Sequence, residues 1–155
     1  MKILILASML LVVSPAYGQE MNPFAWPSEK RPIAEALSNV SVVTALGLDT
    51  LHSWRSNDKK SAFSCQALRM GVTIGVTSAA KLLVHRDRPD HSNDHSFFSG
   101  HTANAMASSG WRFQVGIPLA TGTGYLRAAA NKHYLTDVAV GAGMGFLATR
   151  LCKGD

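Results

Sequence analysis

Charge is scarce in this sequence. Of its 155 residues 16% are charged and 46% are hydrophobic, a balance that excludes a disordered chain and suits one domain with a single core. There is no internal repeat, no low-complexity tract and no sustained period-two alternation, so strands are not indicated. Beyond the N-terminus the uncharged stretches, 36–48, 70–80, 113–126 and 138–149, run only 11 to 14 residues. A spanning helix needs about 20 apolar residues, so these lengths suit buried core helices in a domain that is soluble or at most membrane-associated. Acidic side chains are the scarcer sign, 10 against 15 basic ones, for a formal charge of +5. That balance favours anionic partners such as phosphates, nucleic acids or membrane surfaces.

What is present begins at the N-terminus. Lys2 precedes an apolar run over 3–13, broken only by Ser8, and Ser14-Pro15 ends it before Ala16-Tyr17-Gly18. This is the layout of a secretory signal peptide over 1–18, cleaved after Gly18, with one domain over 19–155. An uncleaved anchor is the alternative. No Cys follows the cleavage point, which argues against a lipoprotein. The expected location is outside the cytoplasm, in the periplasm.

Pro23, Pro27 and Pro32 mark an irregular lead-in with Phe24 and Trp26 available to pack. From Ile33 the apolar residues Ala36, Leu37, Val40, Val43 and Leu46 keep a three-and-four spacing, the helical period. Further helices are predicted over 64–85, 102–109, 118–130 and from His133 to about Leu151. Residues 57–60 and 90–96 are polar breaks. The expected fold is an all-α bundle of five to six helices. Gly141 and Gly145, one turn apart, are read as a packing face.

Three motifs carry chemistry. Lys81 is followed after six residues by Arg88-Pro89. If the helix continues that far, both cations share a face two turns apart, an arrangement that makes sense with an anion between them. Ser99-Gly100-His101 opens a helix, where backbone N–H groups and a hydroxyl can meet an anion and His101 can move a proton beside it. Arg127 is followed after five residues by His133, and Asp137 stands four beyond. On a helix the carboxylate would take one ring nitrogen and leave the other as a nucleophile.

As an ordered set these residues resemble the type 2 phosphatidic acid phosphatase superfamily, which includes bacterial acid phosphatases and vanadium haloperoxidases. Its pattern is Lys-x6-Arg-Pro, Pro-Ser-Gly-His and Ser-Arg-x5-His-x3-Asp. This chain departs from it twice, with Phe98 in place of Pro and Leu126 in place of Ser. The resemblance implies a phosphatase without a metal or other cofactor. It implies that His133 attacks phosphorus, His101 serves the leaving group and Asp137 orients His133. Lys81, Arg88, Ser99, Gly100 and Arg127 would hold the phosphate. The implied partner is a phosphorylated small molecule or a lipid phosphate, with peripheral membrane contact possible and nucleic acid not expected. A vanadate-bearing haloperoxidase and an inactive oxyanion-binding module are the alternatives.

Two further features stand outside the motifs. His85, His91 and His95 lie near Asp87, Asp90 and Asp94, and His91-x3-His95 would suit zinc on a helix. The surrounding Asn, Ser and Asp favour a polar loop instead. Cys65 lies 16 residues before Lys81 and Cys152 lies 15 after Asp137. At 1.5 Å per residue these are about 24 and about 22 Å, similar depths below the motifs. A disulfide between neighbouring helices and a pair of free thiols are both open.

Overall fold

The computed structural model describes residues 22–110 and 112–152; the signal-peptide reading of 1–18 lies outside them. A short 3-10 turn, Ser28–Lys30, leads into five helices: α1 Arg31–Arg55, α2 Lys59–Leu83, α3 Gly100–Ala107, α4 Phe113–Ala129 and α5 Leu135–Ala148. Among the described residues there is no strand, and Arg86 and His95 form an isolated bridge. The all-α bundle expected from the sequence is what the chain forms.

Local chemistry explains how the two long helices start. Pro32 lies in the first turn of α1, where its missing N–H costs nothing. Asp58 caps α2 by accepting from the Ser61 N–H at 3.1 Å. α2 stops at Leu83, because Val84 is extended. Arg88 therefore sits on the loop that follows, not two turns along the same helix face as Lys81. α5 likewise starts at Leu135, so His133 precedes that helix.

α1 and α2 run antiparallel, and the short α3 lies at the centre in contact with all four others. Its neighbours approach closely because they present small residues. A Cβ added to Gly141 would lie 2.5 Å from the Ser99 carbonyl oxygen, and one at Gly145 2.3 Å from that of Ala103. The packing face read from those glycines is turned to α3.

The core is built from small and polar side chains. Its hydrophobic members among the described residues are alanines with Val42, Cys65, Phe97, Phe98 and Met106, and no Leu or Ile. One cluster joins Val42 and Ala45 to Ala105, Met106 and Ala120, and another joins Phe97, Phe98 and Ala103. Trp26 packs on Ala34, Ala129 and Ala130 and ties the lead-in to α1 and α4. Arg69 of α2 reaches both oxygens of Asp49 on α1, at 2.9 and 3.1 Å, with both side chains buried. The uncharged stretches are thus not simply buried core helices: Val40, Val43, Ile74, Ile117 and Leu147 on them are exposed. At the end opposite the motifs Cys65 and Cys152 are bridged, with Cα atoms 5.8 Å apart.

Candidate active site

The three motifs meet at one end of the bundle. Lys81 occupies the last turn of α2 and donates to the His95 carbonyl at 2.9 Å. Arg127 occupies the last turn of α4, is buried, and lies 3.8 Å from Glu35 and 3.5 Å from the Ser38 hydroxyl. Arg88 is carried by the loop between α2 and α3. Lys81, Arg88 and Arg127 all bear electrostatically on both His101 and His133. The Nε–H groups of Arg88 and Arg127 are buried and have no hydrogen-bond partner among the described residues. Buried donors are ordinarily satisfied, so two orphaned guanidinium donors beside a third cation suit an oxyanion.

Burial and the neighbouring cations shape the titration of these groups. Desolvation, then Arg88 and Arg127, lower the Lys81 ammonium from its ordinary value. Burial draws Arg127 down to about 10, which leaves it charged at neutral pH. His101 is lowered to about 4 by desolvation and by Arg127, Lys81 and Arg88. The same causes push His133 well below the usual imidazole range. Both histidines are neutral near pH 7 in the free protein, and a bound dianion would relieve the electrostatic part of that depression.

His133 is 1% exposed. Its Nδ1 lies 2.7 Å from the Ser96 carbonyl oxygen and 3.9 Å from Asp137 Oδ2. The first is a hydrogen bond and the second is too long for one. Facing a carbonyl, Nδ1 must carry the proton, which leaves Nε2 with the lone pair. The tautomer is therefore fixed by Ser96, not by a helical His–Asp pair as the spacing suggested, because α5 begins two residues too late. Asp137 has other work. Its carboxylate is fully buried and accepts from Arg86 Nη1 at 2.7 Å, from the Ser96 hydroxyl at 2.5 Å and from the Tyr134 N–H at 3.1 Å. Burial raises the Asp137 carboxyl despite those donors.

Ser99 is also placed differently from the expectation. Its hydroxyl caps α3 and bonds the Thr102 hydroxyl at 2.9 Å, and its N–H donates to the Asp137 carbonyl at 3.0 Å. Gly100 is the first residue of α3, packed so that a Cβ would meet Thr77 at 3.0 Å. His101 follows it, and its Nε2 lies 2.9 Å from Asn39 Oδ1 of α1.

Arg86, Ser96 and Asn39 are the residues that motif reading missed. A buried carboxylate demands a cation. None of the motif cations bonds Asp137, and that demand is the signal that points to Arg86. Asn39 leaves no such trace in the sequence.

The histidine-rich segment is the polar loop, not a zinc helix. Asp94 takes His85 Nδ1 at 2.9 Å on one oxygen and His95 Nδ1 at 2.5 Å on the other, while Asp90 pairs with Lys132 at 2.8 Å. Among the described residues no three His, Cys, Asp or Glu side chains are grouped to hold a metal ion.

No family model matches the chain, and no solved structure matches it. Over 96 residues it is 35% identical to the lipid A 1-phosphatase of Porphyromonas gingivalis. That alignment takes in 55% of this chain but 22% of the relative, so the chain spans well under two thirds of that protein's length.

Proposed function

We propose that this protein is an exported phosphatase of the type 2 phosphatidic acid phosphatase kind, acting on a phosphomonoester or diphosphate, with a lipid phosphate as the favoured substrate class. The observation that carries the reading is the convergence of Lys81, Arg88 and Arg127 on two neutral histidines, with the Nε donors of both arginines unpartnered among the described residues. The similarity to a lipid A 1-phosphatase supports the same chemistry and the lipid class.

In this mechanism the three cations and the start of α3 at Gly100 hold the non-bridging oxygens. His133 Nε2 attacks phosphorus in line, forming the N–P bond as the bond to the leaving oxygen breaks. His101 gives that oxygen its proton. Water then attacks the phosphohistidine, His101 takes the water's proton, and the N–P bond breaks to release phosphate. Protonation of His101 comes with the substrate, whose negative charge offsets the cations that otherwise keep the ring neutral. Charge neutralisation comes from side chains, so the reaction calls for no metal.

The test is phosphate release by the purified full-length protein from soluble monoesters and from lipid phosphates. Wild type should turn over, resist a chelator, yield to orthovanadate and carry an acid-labile phosphoryl label that His133→Ala lacks. Turnover by His133→Ala at the wild-type rate would overturn the mechanism. Bromide oxidation by the vanadate-loaded protein, faster than its phosphate release, would replace the phosphatase with a haloperoxidase.

A further inference from the structure

His101 and His133 share one cluster of cations, and each needs a ring nitrogen left free for chemistry. For His133 the Ser96 carbonyl decides which nitrogen that is. For His101 the acceptor comes from α1, a helix that carries none of the three motifs. The Nε2–H of His101 donates to Asn39 Oδ1 at 2.9 Å. A neutral imidazole that donates from Nε2 keeps its lone pair on Nδ1. The same bond survives protonation of the ring, because an imidazolium donates from both nitrogens and the amide oxygen goes on accepting.

Asn39 belongs to a stretch of α1 that forms one wall of the site. Glu35 and Asn39 lie one turn apart and share a helix face. The Glu35 carboxylate is 3.8 Å from both Arg127 and Lys132. Beside it the Ser38 hydroxyl donates to the Glu35 carbonyl at 2.7 Å and lies 3.5 Å from Arg127 Nη1. These contacts fix how α1 is turned about its axis. Asn39 itself is exposed, where an amide is ordinarily left to water, yet it reaches the second residue of α3.

The acceptor is an amide in a place where a carboxylate would act differently. The charged groups that bear on His101 are cations: Lys81 from α2, Arg88 from the loop after it and Arg127 from α4. Neighbouring carboxylates are engaged elsewhere, Glu35 with Arg127 and Lys132, Asp90 with Lys132 and Asp137 with Arg86. A carboxylate at position 39 would draw a proton to the ring before any substrate arrived. The amide accepts the N–H without adding charge, so proton uptake waits for the anion that offsets the cations.

We propose that Asn39 is a positioning residue for proton transfer: its amide oxygen holds the Nε2–H of His101 and leaves Nδ1 to serve the leaving oxygen and then water. The inference rests on the phosphatase reading. In the first step Nδ1 gives its proton to the oxygen whose bond to phosphorus breaks. In the second it takes a proton from the water that attacks the phosphohistidine. Nε2 keeps its own proton throughout.

Full-length wild type, Asn39→Ala and Asn39→Asp provide the test. The position is exposed, so both variants should keep the wild-type circular dichroism and thermal unfolding. Nitrogen chemical shifts of His101 should show the Nε2–H tautomer in wild type and a mixture of tautomers in Asn39→Ala. Toward an alkyl phosphate, whose leaving oxygen needs a proton, Asn39→Ala should lose roughly tenfold in kcat/KM. Toward 4-nitrophenyl phosphate, whose leaving group departs without one, it should lose about twofold at most. Asn39→Asp restores an acceptor oxygen, so it should keep the tautomer and the activity on the alkyl ester, while the His101 titration in the free protein moves upward by about one pH unit. An Nδ1–H tautomer in wild type, an equal loss on both esters in Asn39→Ala, or an unmoved titration in Asn39→Asp would overturn the proposal with the phosphatase reading intact. Wild type that releases phosphate from no ester would overturn that reading, and the role of Asn39 with it.

Discussion

Arg86 donates to Asp137 at 2.7 Å and also to the Thr136 hydroxyl at 3.0 Å, with its guanidinium 4.3 Å from the Tyr134 ring. This contact joins the loop after α2 to the first turn of α5. His133 lies between those elements, so the pair fixes the segment from which it projects. It also sets a charge near the imidazole, because an Asp137 carboxylate released from Arg86 would attract a proton to the ring.

Arg86→Ala should therefore destabilise the fold by about 3 kcal/mol, the usual cost of leaving one buried partner alone. The sign with pH follows from burial, which already raises the Asp137 carboxyl. Losing Arg86 raises it further, so the folded variant prefers the neutral acid. The loss relative to wild type should be larger at pH 7 than at pH 4. Urea unfolding at both pH values measures it, and an equal loss at both would contradict the account.

Ser96 separates two supports for His133. Ser96→Ala keeps the carbonyl that fixes the tautomer and removes the hydroxyl that serves Asp137. It should cost about 1 to 2 kcal/mol of stability while preserving the Nδ1–H tautomer. Asp137→Asn should preserve that tautomer too. Nitrogen chemical shifts of His133 in both variants provide the measurement; an Nε2–H tautomer in Asp137→Asn would return the orienting role to Asp137, and one in Ser96→Ala would show that the hydroxyl, not the carbonyl alone, holds the ring.

His101 ties stability to pH and to anions. Its folded value, about 4, lies below the ordinary histidine range, so the unfolded chain binds the proton more readily. Its contribution is complete above the ordinary histidine value and falls as pH drops toward about 4. His133 adds in the same direction. Thermal stability should thus decline through the mildly acidic range. Inorganic phosphate should offset part of the decline, because an anion among the cations lets His101 protonate in the folded state. Calorimetry from pH 7 to pH 4, with and without phosphate, tests both; a flat profile would contradict the first, and acid loss untouched by phosphate the second.

The fold class was legible because the 3.6-residue period of α1 is strong and strand signals are missing. The site was legible as a set of side chains brought to one place. The sequence did not show the irregular backbone between them. Lys81 and Arg88 read as one helix face because nothing before Pro89 announces that Val84 is extended. His133 and Asp137 read as a helical pair because the i, i+4 rule presumes a helix that begins two residues later. Burial was least legible. The stripe of Ile33, Leu37, Val40 and Val43 fixes the period of α1, but small and polar residues, Ala34, Ser38, Val42, Ala45 and Asp49, face the core. Periodicity identifies faces without saying which one meets protein.

The bridge between Cys65 and Cys152 yields the last prediction. It joins positions 87 residues apart and ties α2 to the segment after α5, at the end away from the motifs. Closing so long a loop restricts the unfolded chain by an amount worth about 4.6 kcal/mol in the chain-entropy account. The folded site should feel little of this, since its contacts are made by the opposite ends of α2 and α5. The Cys65→Ala, Cys152→Ala variant should unfold at lower temperature and denaturant than wild type, yet bind orthovanadate with unchanged affinity under conditions where both are folded. Denaturant unfolding and vanadate titration together measure the two halves. A site weakened in step with stability would mean that the bridge shapes the folded bundle and does not act chiefly on the unfolded chain.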